Sequence, residues 1–201
     1  NLADRVGGAI GGPLAKDRVF LFGALEKQYS RIPRQVFFPA LHGATATPRT
    51  ANNAEAYDYY LRGIEYSSRG NTEKNQRIAL QMYQKAVELD PDFVLAYTKL
   101  SGIYNTLYWY HWERTEQCLA KAKEAVDRAL SLNPDLPEAH FALGRYYYNG
   151  LLDYDSALKQ FDIVRKSQSN NAELFLYIGY VQRRQGKFEQ ALENIKKASE
   201  L

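Results

Sequence analysis

The stretch "LYIGYVQRRQGKFEQALENIKKA", Leu176 to Ala198, decides the fold. Phe175 just before it, Gly179 and Gln182 are spaced by 4 and 3, and Ala191, Ile195 and Ala198 repeat that spacing after Gly186-Lys187-Phe188. Spacings of 3 and 4 put side chains on one face of an α-helix. The stretch therefore reads as two amphipathic helices joined by a glycine turn. The small residue of the first helix and the Ala of the second let the two axes approach, and larger apolar residues fill the space beside them.

Upstream, the same double pattern occurs three more times. The first-helix triplets are Tyr59-Gly63-Tyr66, Tyr97-Ser101-Tyr104 and His140-Gly144-Tyr147. The second-helix runs are Ala79-Tyr83-Ala86-Pro91, Ala122-Val126-Ala129-Pro134 and Ala157-Phe161-Val164, the last with Ser169 in place of Pro. Proline after a helix stops it and sets the entry to the next unit. The repeat predicts units at about 56–93, 94–136, 137–171 and 172–201.

These residues resemble the tetratricopeptide repeat, W-x2-L-G-x2-Y, then A-x3-F, then P. The resemblance covers residues 54–201 and implies an all-α, right-handed α-solenoid of four helix-turn-helix units. From the small residue of the first helix to the Ala of the second the distances are 16, 21, 13 and 12, so the first three turns carry four, nine and one extra residues. The Tyr-rich opening "AYDYYLRGIEYSSR" with its long turns looks similar to tetratricopeptide regions of bacterial kinases, cyclases and transcriptional regulators.

The resemblance implies a concave groove lined by the first helices. Carried onto this chain, its inward positions are Tyr60 and Ile64, Thr98 and Gly102, Phe141 and Arg145, Leu176 and Tyr180, with Asn105, Tyr148 and Arg183 one turn on. Tyr and Arg are favoured at binding hot spots because they add contact area at low entropic cost. The expected partner-binding set is thus Tyr60, Ile64, Asn105, Phe141, Arg145, Tyr148, Tyr180 and Arg183. The chaperone-binding subclass places Lys and Asn where Tyr60 and Ile64 stand, so its terminal-carboxylate clamp is not expected.

Residues 1–39 follow another pattern. "RVGGAIGGPLAKDRVFLFGALEKQ" alternates short apolar runs with Gly-Gly-Pro and Lys-Asp punctuation, which predicts a hairpin-like pair of strands. The segment resembles early barrel strands of TonB-dependent outer-membrane receptors through Gly11-Gly12-Pro13, Lys16-Asp17, Phe20-Leu21-Phe22-Gly23 and Glu26. Two strands cannot close a barrel, so the receptor's activity is not expected here. Residues 40–53 read as a polar linker. The Asn1 start and the absence of a basic-then-apolar leader read as an internal fragment.

The charge is uneven. Residues 1–53 hold seven Lys/Arg against three Asp/Glu, and residues 54–201 hold 19 against 20, so the net +3 arises in the leader. A neutral main body does not suit nucleic acid. No run approaches the roughly 20 apolar residues of a membrane-spanning helix. The expected compartment is that of a soluble bacterial protein, cytoplasmic or periplasmic.

Nothing in the sequence composes an active site. "GGAIGGPLAKD" lacks the Gly-Lys-Ser/Thr of a phosphate loop. His42, His111 and His140 have no second ligand at metal spacing, and His140 falls at a packing position. Cys118 is a lone thiol without a His partner, and Asp90, Asp92 and Asp135 surround the Pro turns. The expectation is a non-catalytic scaffold without cofactor or metal that holds a peptide or partner protein. The alternatives are a sensory arm of a larger bacterial signalling protein, or a component of an outer-membrane assembly.

Two further features carry expectations. The nine-residue insertion places Tyr108, Trp109, Tyr110 and Trp112 together, either as lengthened helix ends that bury their rings or as an aromatic lip. Leu192, Ile195 and Leu201 have no following unit, which predicts further repeats or self-association through this end.

Overall fold

A computed structural model describes residues 51–201. The hairpin-like segment over 1–39, and the linker up to residue 50, lie outside the described residues. The described chain is all-α. Its elements are α1 (Ala54–Ser68), α2 (Glu73–Leu89), α3 (Val94–Trp109), α4 (Glu116–Leu132), α5 (Pro137–Tyr146), a π turn (Tyr147–Leu151), α6 (Tyr154–Ser167), α7 (Ala172–Arg184) and α8 (Phe188–Glu200). They pair as α1 with α2, α3 with α4, α5 with α6 and α7 with α8, and each pair packs on the next. The result is an α-solenoid of four tetratricopeptide-like units.

The small residue of each first helix is the contact on which its unit closes. Gly63 sits against the Tyr83 ring, Gly144 against Phe161 and Gly179 against Ile195, each close enough that an added Cβ would collide. Ser101, fully buried, holds the same position in the second unit. The nearest partner is therefore the large residue four after the Ala, joined at Gly179 by the Ala191 carbonyl. Tyr83, Val126, Phe161 and Ile195 are all buried, as are Ala79, Ala122, Ala157 and Ala191.

The fourth unit gives the spacing against which the insertions are located. There α7 runs five residues past Gly179, three residues (185–187) form the turn, and Ala191 is the fourth residue of α8. In the second unit α3 runs eight past Ser101, the turn has six residues (110–115) and Ala122 is the seventh of α4. Three extra residues at each place account for the nine. In the first unit Ala79 is the seventh residue of α2 and the turn has four residues, 69–72, which accounts for the four. The added length thus forms mostly helix, because a further turn satisfies its own backbone where a long loop cannot.

The third unit takes up its single extra residue differently. One residue inserted in a helix widens the hydrogen-bonded ring from the i−4 to the i−5 carbonyl, which makes a π turn. Tyr147–Leu151 is that turn, and it ends with the Leu152 and Asp153 amides both donating to the Tyr147 carbonyl.

Between units, two of the three junctions are Asx turns. The Asp92 amide donates to Asp90 Oδ1 at 3.2 Å and the Asp135 amide to Asn133 Oδ1 at 3.3 Å. Buried Phe93 and Leu136 then enter the next helix. Where Ser169 replaces Pro, Asn171 Nδ2 donates to Gln168 Oε1 at 2.9 Å, and Asn171 Oδ1 caps α7 by accepting from the Leu174 amide at 3.0 Å. A side-chain bridge and a cap hold the junction that proline holds elsewhere.

Candidate partner-binding face

The residue after each small residue forms a row along the first helices: Ile64, Gly102, Arg145 and Tyr180, each partly exposed. In the expected partner-binding set, Ile64, Arg145 and Tyr180 belong to this row. Half-buried Phe141 supports it, with its ring centroid 5.3 Å from Tyr177 and 5.7 Å from Phe161. Arg183 is half-buried near the end of α7.

Three expected residues lie inside the packing instead. Tyr60 is 7% exposed among the rings of Tyr57, Tyr83 and Phe93. Burial pushes its phenol far above the usual tyrosine range. Asn105 is fully buried, with Nδ2 reaching Ser101 Oγ at 3.5 Å and Oδ1 without a partner. Tyr148 is 4% exposed between Trp109, Tyr154 and Tyr177. A 3.6-residue period identifies a helix face but not which neighbour covers each side of it. Tyr60, four before Ile64, and Asn105 and Tyr148, three after Gly102 and Arg145, turn into the packing, which hides these three from a partner.

The residues that the sequence reading passed over are Tyr57, Leu61, Thr106 and Tyr177. Tyr57 and Leu61 are 38% and 45% exposed and stand seven and three residues before Ile64. Thr106 stands four after Gly102, and Tyr177 three before Tyr180. Extending the row by 3, 4 and 7 would have found all four.

Arg145 ties the middle of this face together. Its Nη2 donates to Thr106 Oγ1 at 3.1 Å, across to α3. Its guanidinium carbon lies 5.2 Å from the Tyr177 ring centroid on α7. A Cβ on Gly102 would stand 3.4 Å from Nη1, so the glycine leaves the guanidinium room over α3. Beneath it, burial raises the Tyr177 phenol to about 12, against a lowering pull from Arg145. A neutral phenol ring under a cation is the stable arrangement at neutral pH.

The aromatic insertion is anchored. Trp109 packs on Tyr148 at 5.6 Å, and the Arg184 guanidinium lies 5.9 Å from its ring centroid. Arg77 of α2 donates to the Trp112 carbonyl at 3.2 Å and to Glu113 at 3.0 Å. Trp112 stacks on Tyr110 at 5.0 Å, and Tyr110 remains 48% exposed. Trp109 ends the lengthened α3 with its ring half-covered and Trp112 is half-buried in the turn, while Tyr110 stays at the surface.

The remaining reactive groups are engaged in packing. Cys118 is fully buried with its thiol directed at the Tyr104 carbonyl, and burial pushes it up to about 11, away from nucleophilic character. His140 bridges Gln160 Oε1 and the Pro134 carbonyl, each at 2.8 Å. Among the described residues no group of three or more His, Cys, Asp or Glu is placed to hold a metal ion. No described helix is long and apolar enough to cross a membrane.

Four stacked helix-turn-helix units with a half-exposed row along their first helices define a repeat protein of the α-solenoid class. Within it, residues 150–199 match the tetratricopeptide repeat family. A crystal structure of MamA is similar at 18% identity over 95% of this chain and 95% of that one, with a TM-score of 0.49. MamA MSR-1 C2 is similar at 22% identity over 76% and 79%, with a TM-score of 0.46. MamA AMB-1 P212121 is similar at 23% identity over 73% and 72%, with a TM-score of 0.44. Comparison with curated proteins gives no match.

Proposed function

We propose that the chain is a non-catalytic scaffold whose inner face holds a segment of a partner protein. The observation that carries this reading is the row Ile64, Gly102, Arg145 and Tyr180, partly exposed at the same position of four successive first helices. A row in register with the repeat suits an extended or helical segment laid across the units. Tyr57 and Leu61 extend the row with apolar surface on α1. The binding set becomes Tyr57, Leu61, Ile64, Arg145, Tyr177 and Tyr180, and Tyr60, Asn105 and Tyr148 support it from within.

The test is affinity capture from the organism that makes the protein, with Leu61→Asp and Tyr180→Asp made together. The reading expects partners held by the native chain to be lost from the double variant while its circular dichroism stays the same. Equal recovery from both chains would reject the inner face as the binding surface.

Under the regulatory-arm reading the same face would hold a segment of the larger protein, and the full-length gene sequence decides between the two. Self-association through α8 rests on Leu201, 53% exposed, and half-buried Leu192, since Ile195 is covered. Glu193, Lys196, Lys197 and Glu200 line the same surface as Leu201. Sedimentation showing a strict monomer at high concentration would reject it.

A further inference from the structure

We infer that Arg145 is a carboxylate-binding site that anchors an acidic group of the bound segment; this rests on the inner-face reading above. Five arginines have carboxylate partners: Arg62 with Asp58, Arg69 with Glu65, Arg77 with Glu73 and Glu113, Arg128 with Asp92 and Arg165 with Asp162. Arg114 and Arg184, which lie against His111 and Trp109, are exposed, so water solvates them. Arg145 has none among the described residues. Of its five N–H groups, one on Nη2 donates to Thr106 Oγ1. Its Nε is buried with no acceptor at all.

A guanidinium partly withdrawn from water without a counter-charge is unfavourable, and the folded chain retains it. The surroundings hold it in one pose. Thr106 fixes Nη2, the Tyr177 ring fixes one face, and Gly102 leaves Nη1 open beside α3. Because Nε is buried, an incoming group meets the Nη1 and Nη2 end. Two parallel N–H donors in a plane match the two oxygens of a carboxylate. The Tyr177 ring beside the guanidinium is in turn packed by half-buried Phe141 and Tyr180, which makes the neighbourhood aromatic. The ligand chemistry is therefore an acidic group flanked by apolar or aromatic residues. A side chain and a chain terminus present the same carboxylate.

Peptide-display panning on the full chain supplies the probe. A selected peptide is then made in three forms: native, Asp or Glu replaced by Asn or Gln, and C-terminally amidated. Each is titrated by fluorescence anisotropy against the native chain, Arg145→Gln and the control Arg165→Gln. Loss of the carboxylate is expected to weaken binding to the native chain about tenfold or more, as for a charged hydrogen-bonded pair. Against Arg145→Gln the same change has no further effect, and Arg165→Gln behaves as native. Loss on side-chain replacement assigns the carboxylate to a side chain, and loss on amidation assigns it to the terminus. If neither change weakens a peptide that Leu61→Asp with Tyr180→Asp abolishes, the carboxylate site is wrong and the inner face stands. If binding survives that double variant too, the inner-face reading itself fails. The peptide variants are read on the native chain, so the result does not depend on Arg145→Gln folding.

Discussion

Gly144 lies so close to the ring of Phe161 that a methyl group on the glycine would overlap the ring edge, with Phe161 Cδ1 at 2.7 Å and Cζ at 3.0 Å from the added carbon. Gly63 makes the same contact with Tyr83 in the first unit, where Tyr83 Cδ1 and Cζ are both at 2.7 Å. Both rings are buried, at 0% and 1% exposure, and cannot swing away. Alanine would normally favour a helix over glycine by about 1 kcal/mol. Here overpacking of about 1–3 kcal/mol opposes that gain. Gly144→Ala and Gly63→Ala should each destabilise the chain by about 1–2 kcal/mol net in urea unfolding.

Gly102 is the contrasting case. Its added Cβ meets only the far end of the Arg145 side chain, at an ordinary 3.4 Å. The helix preference then acts unopposed, and Gly102→Ala should stabilise by about 0.5–1 kcal/mol. The same urea titration measures it, and the opposite signs at Gly102 and Gly144 are the content of the prediction.

The turns inside the four units each contain one residue in the left-handed region. Gly70 (φ 138°) and Gly186 (φ 77°) serve the first and fourth, and His111 (φ 61°) and Leu152 (φ 55°) the second and third. A leucine there costs about 1–2 kcal/mol. Leu152 is 53% exposed, so little packing offsets the strain. Leu152→Gly should raise the thermal midpoint, by about 1 kcal/mol of stability. Gly186→Ala should lower it by a similar amount, although nothing lies within 4 Å of the added carbon.

Alkaline pH should weaken the fold. Burial raises the Cys118 thiol from 9.0 to about 11 and the Tyr177 phenol from 10.0 to about 12. Burial raises Tyr60 and Tyr83 further still. In each case the folded value exceeds the unfolded one, so the unfolded chain releases its protons first. The contribution is complete below about pH 9 and is lost as the pH rises towards 11 and 12. The urea midpoint should therefore be level from pH 7 to 9 and fall above it, and Cys118→Ala should flatten the first part of the fall.

Arg77 holds the long insertion through the Trp112 carbonyl and Glu113. It is exposed at 42%, so its removal should cost less than about 1 kcal/mol globally. The local effect is larger, because the turn over 110–115 loses its tie to α2. Arg77→Ala should open that turn to limited proteolysis ahead of every other described segment, while the global midpoint barely moves.

The repeat was legible because close helix packing leaves a periodic record. Gly63, Ser101, Gly144 and Gly179 had to be small, and the large residues opposite them had to follow the Ala by four. The fate of the insertions was not legible. Extra residues can form helix, loop or π turn with the same composition, and only the neighbours decide, as at Tyr147–Leu151. The exposed row was legible to within one helix step. Ile64, Arg145 and Tyr180 are partly exposed, while Tyr60, Asn105 and Tyr148 are buried in the packing. Arg145's lack of a counter-charge could not be read at all, since a missing ion pair is a three-dimensional fact.

The inner face is tested most directly by site-specific photocrosslinking in the organism that makes the protein. A benzophenone side chain is placed in turn at Leu61, Ile64 and Tyr180 on the inner row, and at Ile163, which is 39% exposed on α6. The prediction is a discrete protein adduct from all three inner positions and none from Ile163. Adducts from Ile163 alone, or equally from all four positions, would contradict the claim that this chain holds its partner on the inner face.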